Sequence, residues 1–326
     1  MSKLFYEEGY CPRGAVESVR SDVNLDNPAE IERFLRSRVF GQEEMCRQVA
    51  MLLFNHIQGR RQTAFIVGPS GCGKSEIIKA IRELYDLTYV QDGSAVQAKG
   101  WRGGVSTTDI LCQVPPGKPA IIVLDEADKA FSPVITGNDT NLSQLIQQEY
   151  LIQLTGGLVN ADKKPNDNDA GIRIDTSNFS YIFVGSYQTA YQARAESEST
   201  SGFGFASEPV VHKAYENRVT RADLLSFNII PELCGRIEKI ITCRPLSEED
   251  FCHILTDFKG NPIKQMERKY NVKLKISKKR VMQVAKEAAG SGMGTRVILN
   301  SLVNVIDDKF FESYSRQGTA PSEITI

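Results

Sequence analysis

Tryptophan occurs once and histidine three times in these 326 residues, and the seven cysteines are scattered with no C-x-x-C pair among them. Without paired Cys or His spacings the sequence offers no zinc site. Dispersed thiols, odd in number, fit the reduced state of a cytosol. An excess of either charge is also missing. The 39 Lys+Arg and 40 Asp+Glu leave a net charge of −1, which asks for no polyanionic partner such as nucleic acid. No apolar run approaches the ~18 residues needed to cross a bilayer, and residues 1–14 carry neither an apolar h-region nor a small-residue cleavage site. A cytoplasmic protein with no membrane partner is the expectation. Solenoid-type repeats are absent as well. What is present is globular: 41% hydrophobic and 24% charged residues are near average, and the length suggests two domains at roughly 150 residues each.

The order of patterns is informative. Residues 1–28 are polar and aperiodic, and Asn27-Pro28 followed by Glu30 and Glu32 reads as a helix start. From Gln42 to His56 the set Met45, Val49, Leu52 and Leu53 recurs at helical spacing, and Thr63–Val67 is a short β-type run. Two further buried strands are expected at Ala120–Leu124 and Tyr181–Val184, separated by a helix near Leu142–Leu154 and a polar loop near Asn160–Gly171. Strands alternating with helices predict an α/β fold with a parallel sheet. From about Pro245 the pattern becomes long helices, Ser247–Tyr270, Ser277–Ala289 and Met293–Phe311, with a short strand at Val272–Ile276. The expected division is an N-terminal segment 1–28, a large domain 29–244 and a smaller, mostly helical domain 245–326. The basic cluster Lys273, Lys275, Lys278, Lys279 and Arg280 reads as a solvated face.

Gly68-Pro69-Ser70-Gly71-Cys72-Gly73-Lys74-Ser75 has the G-x-x-x-x-G-K-[ST] spacing after a strand and before a helix. Glycines there let backbone N–H groups turn inward around phosphate oxygens at a positive helix end. Lys74 is expected to reach the β/γ-phosphates of ATP and Ser75 to ligate Mg²⁺. Cys72, among these amides, is either a small residue at a variable position or a thiol with lowered pKa acting as a redox switch. The apolar run Ile121–Leu124 ends in Asp125 and Glu126, which places two acids at the carboxyl edge of the sheet. Asp125 suits the Mg²⁺ shell and Glu126 suits water activation.

These motifs, in this order, resemble the ClpX-type AAA+ protein unfoldases of the Clp/Hsp100 family, over roughly residues 28–315. Val39-Phe40-Gly41-Gln42, followed by a helix carrying Asn55-His56, is similar to the family's VIGQ box. The resemblance implies that Val39 and Phe40 pack on adenine. Ile230-Pro-Glu-Leu-Cys-Gly-Arg236 is similar to the IPEFIGR segment, which implies that Arg236 contacts the γ-phosphate held by a neighbouring subunit. Gly294-Thr295-Arg296 resembles sensor 2, making Arg296 a γ-phosphate reporter, and Ser186 is the candidate for sensor 1. An arginine supplied in trans implies a closed head-to-tail ring, by resemblance a homohexamer.

The resemblance further implies that Gly100-Trp101-Arg102-Gly103 is the pore loop that grips unfolded or tagged protein substrates, with Trp-Arg where the family has Tyr-Val. Gly202-Phe203-Gly204-Phe205 stands where the family docks on a ClpP peptidase ring, with Phe in place of Ile. Two exposed phenylalanines imply a partner that covers them. Residues 1–28 show no counterpart of the family's N-terminal zinc-binding domain. The loop 157–173 has acids and Lys163-Lys164 instead of Arg-Lys-His, and residues 136–141 lack the arginine of the second pore loop. The related HslU shares a PELxGR segment but lacks the Phe-Gly-Phe-type loop, so ClpX is the nearer model. An AAA+ DNA motor or clamp loader, or a stand-alone remodelling ATPase without a peptidase, would use the same nucleotide residues. Near-zero net charge and the Phe203/Phe205 loop weigh against nucleic acid.

Overall fold

The structure, a computed structural model, describes residues 22–98, 104–135, 141–161, 172–187, 218–258, 261–291 and 294–326. It opens with helix α1 (Pro28–Arg38), whose first turn is capped by Asn27: the side-chain oxygen accepts from Ala29 N–H at 3.0 Å. Helix α2 (Glu43–Ile57) follows, then strand β1 (Thr63–Val67), helix α3 (Lys74–Leu84) and strand β2 (Thr88–Asp92). A small ribbon, β3 (Val96–Gln97) with β4 (Val105–Ser106), precedes β5 (Ala120–Asp125) and the short α4 (Ala127–Ala130). Then come α5 (Leu142–Thr155), the antiparallel pair β6 (Leu158–Ala161) and β7 (Ile172–Asp175), β8 (Phe179–Gly185), α6 (Arg221–Ser226), α7 (Pro231–Arg236) and β9 (Lys239–Thr242).

Five strands form one sheet in the order β2-β5-β8-β1-β9, and every pairing is parallel. Its three inner strands, β5, β8 and β1, are buried on both faces, as a parallel sheet covered by helices requires. In β1 the alternation sends Ala64 and Ile66 to the face covered by α1, α2 and α3. Phe65 and Val67 go to the opposite face with Tyr150, Leu224 and Leu233. The α/β class and parallel sheet expected from the pattern are therefore present, with β2 and β9 added to the three anticipated strands. The expected polar loop near 160–171 begins and ends in the β6–β7 pair, in which Val159 is buried while Leu158 is exposed.

The C-terminal part consists of α8 (Glu248–Thr256), α9 (Pro262–Tyr270), β10 (Lys273–Lys275), α10 (Lys278–Ser291), α11 (Thr295–Gln317) and β11 (Glu323–Thr325), with β10 and β11 parallel. The single helix expected over Ser247–Tyr270 is two helices. Asn261 caps the second by accepting from Lys264 N–H at 2.7 Å, and Pro262 has no N–H to continue the first. At the start of α8, Ser247 and Asp250 form a reciprocal capping box. Phe251, Leu255, Met266, Val284, Leu302 and Ile324 close a separate core. At about 1.5–3 kcal/mol per fully buried large apolar side chain, this core is sizeable for its length. Lys273 and Lys275 of the basic cluster are exposed, and Lys275 pairs with Glu323 at 2.7 Å. No helix among the described residues is long and apolar enough to cross a membrane.

Candidate nucleotide site

Parallel strands deliver their carboxyl ends to one edge of the sheet, and there the predicted residues meet. β1 ends at Val67 and passes into the phosphate loop, in which Gly71 (φ +77°) and Gly73 (φ +105°) take left-handed backbone geometry that favours glycine. Gly73 leads straight into α3, so the amides of the loop face the positive helix end. The Lys74 ammonium donates to the carbonyls of Gly68 at 2.7 Å and Pro69 at 2.6 Å, inside the loop that it closes.

β8 lies between β1 and β5, so its end falls between the phosphate loop and Asp125-Glu126. Asp125 is half-buried and its Oδ1 accepts from Glu126 N–H at 2.9 Å. Burial pushes its carboxyl above the ordinary carboxylate value. Negative Glu126 and Asp92 add to this, while the Glu126 N–H and Lys74 oppose it. Glu126 has φ +52°, a left-handed conformation rare for a side chain of its size and of the kind that clusters at functional sites. The turn aims its carboxylate outward, within 3.5 Å of the Lys129 ammonium.

The residues converge on a cleft of about 350 Å³ lined by Ser70, Gly71, Gly73, Lys74, Ser75, Asp125, Glu126 and Ser186 from the α/β part, and by Thr295, Arg296 and Leu299 from α11. That volume lies at the lower end of small-ligand clefts. Its chemistry fits a nucleoside triphosphate with Mg²⁺: an amide-lined loop at a helix N-terminus, a lysine, and hard oxygen donors on Ser75 and Asp125. Gly294, at φ +61°, sits against the loop so closely that a Cβ on it would lie 2.6 Å from Gly71 Cα. The C-terminal part thus touches the phosphate loop through two glycine backbones.

Other predicted residues take different places. Val39 is buried and faces Gly73, whose Cβ, if present, would lie 2.9 Å from Val39 Cγ1. Phe40, expected with Val39 on adenine, is outside the cleft lining. It stacks on His253 with ring centroids 6.0 Å apart and meets Phe258 edge-on at 5.9 Å, packed against the C-terminal core. Cys72 is buried in the core of the α1–α3 face. Arg236 is exposed at the end of α7 and outside the cleft lining of its own chain. Gly100, Trp101, Arg102, Gly103, Phe203, Gly204 and Phe205 lie outside the described residues, as do positions 136–140 and 162–171.

Three positioning contacts lie beyond the motif reading. Gly93 N–H donates to Asp125 carbonyl at 2.7 Å, and a Cβ there would lie 2.5 Å from the Glu126 carbonyl oxygen, so only glycine lets the turn close. Asp128 Oδ2 accepts from Ser186 Oγ at 2.8 Å and from Tyr187 N–H at 3.4 Å, fixing the end of β8 beside the cleft. Gln42 bonds both ways to the backbone of Arg244, at 2.7 and 3.1 Å, where the chain leaves the sheet. Asp92-Gly93 after a β-type run was the available signal for the first. Asp128 follows Glu126 by two residues, with nothing in the pattern to assign its partner.

No family model matches the chain. Among curated proteins it is similar to the ATP-dependent Clp protease ATP-binding subunit ClpX 2 of Wolinella succinogenes. The two are 26% identical over 337 residues, covering 95% of this chain and 83% of that protein. The ClpX subunit of Treponema denticola is 24% identical over 335 residues, covering 90% and 79%, and that of Bacteroides fragilis is 24% identical over 322 residues, covering 88% and 77%. The similarity spans both the α/β part with its phosphate loop and the helical part that lends Arg296 to the cleft. With the parallel sheet and helical C-terminal part, this similarity supports a ClpX-like protein of the α/β P-loop AAA+ fold.

Proposed function

We propose that the chain is an ATP hydrolase that assembles as a closed ring of identical subunits, six by family resemblance, unfolds proteins and passes them to a ClpP-type peptidase in the cytoplasm. One observation carries this reading: Lys74, Ser75, Asp125 and Glu126 from the sheet edge and Arg296 from α11 line the same cleft. The relatives' names, ATP-binding subunits of ATP-dependent Clp proteases, supply the association with a peptidase.

In this reading residues 29–244 form the ATPase domain and 245–326 the smaller domain, preceded by a segment at 1–28. Loop amides from Gly68 to Gly73 bind the phosphates, with Lys74 on the β/γ oxygens. Ser75 and Asp125 hold Mg²⁺, which neutralises charge on those oxygens when bound. Glu126 orients the attacking water and accepts its proton, its carboxylate aimed outward by the left-handed turn. Arg236, exposed on its own chain, completes the neighbour's site, and so hydrolysis depends on assembly. Arg296 and the Gly71–Gly294 contact report the state of the phosphates to the C-terminal helices. ATP and ADP then favour different angles between the two parts, since a ligand shifts an equilibrium only by its differential affinity. Trp101 on its glycine-flanked loop moves polypeptide through the ring, and Phe203 and Phe205 dock on the peptidase.

The test is degradation of a fluorescent unfolded protein by the chain together with the ClpP-type peptidase of the same source. ATP-dependent degradation that is lost in Trp101→Ala, and lost in Phe203→Ala/Phe205→Ala with ATP turnover kept, supports the reading. ATP turnover with no degradation in any combination contradicts the peptidase assignment, and salt-sensitive stimulation by DNA would point to the DNA motor instead.

A further inference from the structure

Cys72 and Cys243 are assigned no role above, yet the sheet brings them together. Val67, the last residue of β1, accepts from Cys243 N–H at 2.7 Å, so the first residue after β9 lies beside the first residue of the phosphate loop. The approach is tight: a Cβ on Gly68 would lie 2.5 Å from Cys243 Cβ. Both thiols are buried in the same apolar cluster, close enough to bias each other's ionisation, and without a disulfide. Around them stand Lys74, whose ammonium is 3.9 Å from Cys72 Sγ, and Met45, whose sulfur is 3.2 Å from Cys243 Sγ.

We infer that Cys72 and Cys243 form a reversible disulfide that shuts the nucleotide site under oxidation by a hydroperoxide. The inference rests on the phosphate-binding role proposed for residues 68–75. The Cys72 thiolate attacks one oxygen of hydrogen peroxide, the O–O bond breaks, and the departing hydroxide takes a proton to become water. The sulfur of Cys243 then attacks the Cys72 sulfenic acid, loses its proton and expels the second oxygen as water. Two thiols and one peroxide give one disulfide and two waters, the sulfurs losing two electrons and the peroxide gaining them. Within the pair Cys72 is the attacking thiol. Its neighbour Cys243 holds its pKa below the ordinary thiol value against the effect of burial, with Lys74 helping, while Cys243 is pushed well above that value. Gly71 and Gly73, which flank Cys72, both line the cleft, so a molecule as small as peroxide arrives beside the thiol.

The consequence follows from the crowding. An S–S bond of about 2.05 Å is shorter than any non-bonded contact between two sulfurs, and Gly68 already lies against Cys243, so the loop around Cys72 has to shift. The amides that shift are the ones that surround phosphate. Cys243 also immediately precedes the Arg244-Pro245 connector, and the bond would tether the loop to the start of the C-terminal part.

The test uses the full chain, with binding of a fluorescent ATP analogue read alongside peptide mass spectrometry without reductant. Peroxide treatment is expected to link the peptide containing Cys72 to the one containing Cys243, with fragmentation placing the link at Cys243 and not Cys252. Analogue affinity should fall at least tenfold and return with dithiothreitol. Saturating ATP added first should slow the linkage. Cys243→Ala, or Cys243→Ser if alanine folds poorly, should bind like wild type when reduced and keep its affinity after peroxide. Absence of the linked peptide, a linked protein with unchanged affinity, or equal loss of affinity in the Cys243 variants would overturn the inference. Failure of the reduced wild type to bind the analogue would instead overturn the ATP-site reading, while the linkage is read independently by mass.

Discussion

The α/β part and the helical C-terminal part contribute to the cleft in opposite ways. In the first, the groups sit at the ends of strands buried on both faces, and their neighbours leave them little choice. Gly93 closes on the Asp125-Glu126 turn, and Asp128 ties down the end of β8. In the second, a single helix start brings Arg296 and Leu299 to the rim, and the backbone contact beside them is glycine on glycine, with no interlocking side chain. Groups that must hold still for chemistry are over-determined by packing. Groups proposed to sense the phosphates touch the loop through small, low-energy contacts that a few kcal/mol can rearrange. Away from the cleft the parts are joined by Gln42 on the Arg244 backbone, an Arg244–Asp250 pair at 2.6 and 3.0 Å, and the Phe40 ring against His253 and Phe258.

The largest expected effect breaks the first half of this contrast from outside the chain. Arg236→Ala is expected to lower ATP turnover by on the order of 10³-fold while nucleotide binding persists, the scale of a lost arginine finger, as read by steady-state turnover beside fluorescent-nucleotide titration. Gly294→Ala attacks the other half, because its Cβ would meet Gly71 and the residue holds φ +61°. The C-terminal part is pushed off the loop, and turnover should fall on the order of 10–100-fold, as a displacement near 1 Å does. A variant that turns over like wild type would mean that the contact is incidental.

Acid separates the parts by stability. His56, on the buried side of α2 with its Nδ1 2.9 Å from Ser180 Oγ of β8, has its pKa lowered by burial from 6.5 to about 4. The unfolded chain binds that proton near 6.5 and the folded chain does not, so stability is lost as pH falls from 6.5 towards 4. The loss is at most about 3 kcal/mol, and it should be visible in urea unfolding and flattened in His56→Gln. In the C-terminal part, burial pushes Asp250 up, but bonds from Arg244 and Ser247 outweigh it and hold its pKa below 3.8. That contribution is present above 3.8 and fades only at lower pH. The smallest effect is Arg244→Ala: a partly exposed pair contributes about 1 kcal/mol or less, so thermal unfolding should shift by a few degrees while turnover changes more than stability does.

Much of the site was legible because its chemistry needs fixed spacing. The phosphate loop, Asp125 and Glu126 after an apolar strand, and Arg296 at a helix start all reach one cleft. β1 runs over the residues that its apolar pattern marked. What escaped the reading was set by neighbours in space. β2 is an edge strand whose Gln91 and Asp92 break the apolar run, and β9 is four residues long. Phe40 carries nothing that says which of two cores it enters, and the structure puts it against His253 and Phe258. The break at Asn261-Pro262 was readable from Pro alone, but helical spacing on both sides hid it. The proximity of Cys72 and Cys243 depends on the β1–β9 pairing, which no linear pattern contains.

The most direct measurement compares ATP turnover of the wild type and Glu126→Gln, with nucleotide binding and assembly followed in the same samples. The account predicts that both bind ATP and assemble, and that the variant hydrolyses it about 10²–10⁴-fold more slowly, the range for loss of a general base. A wild type that does not bind ATP, or a variant that turns it over at the wild-type rate, would contradict it.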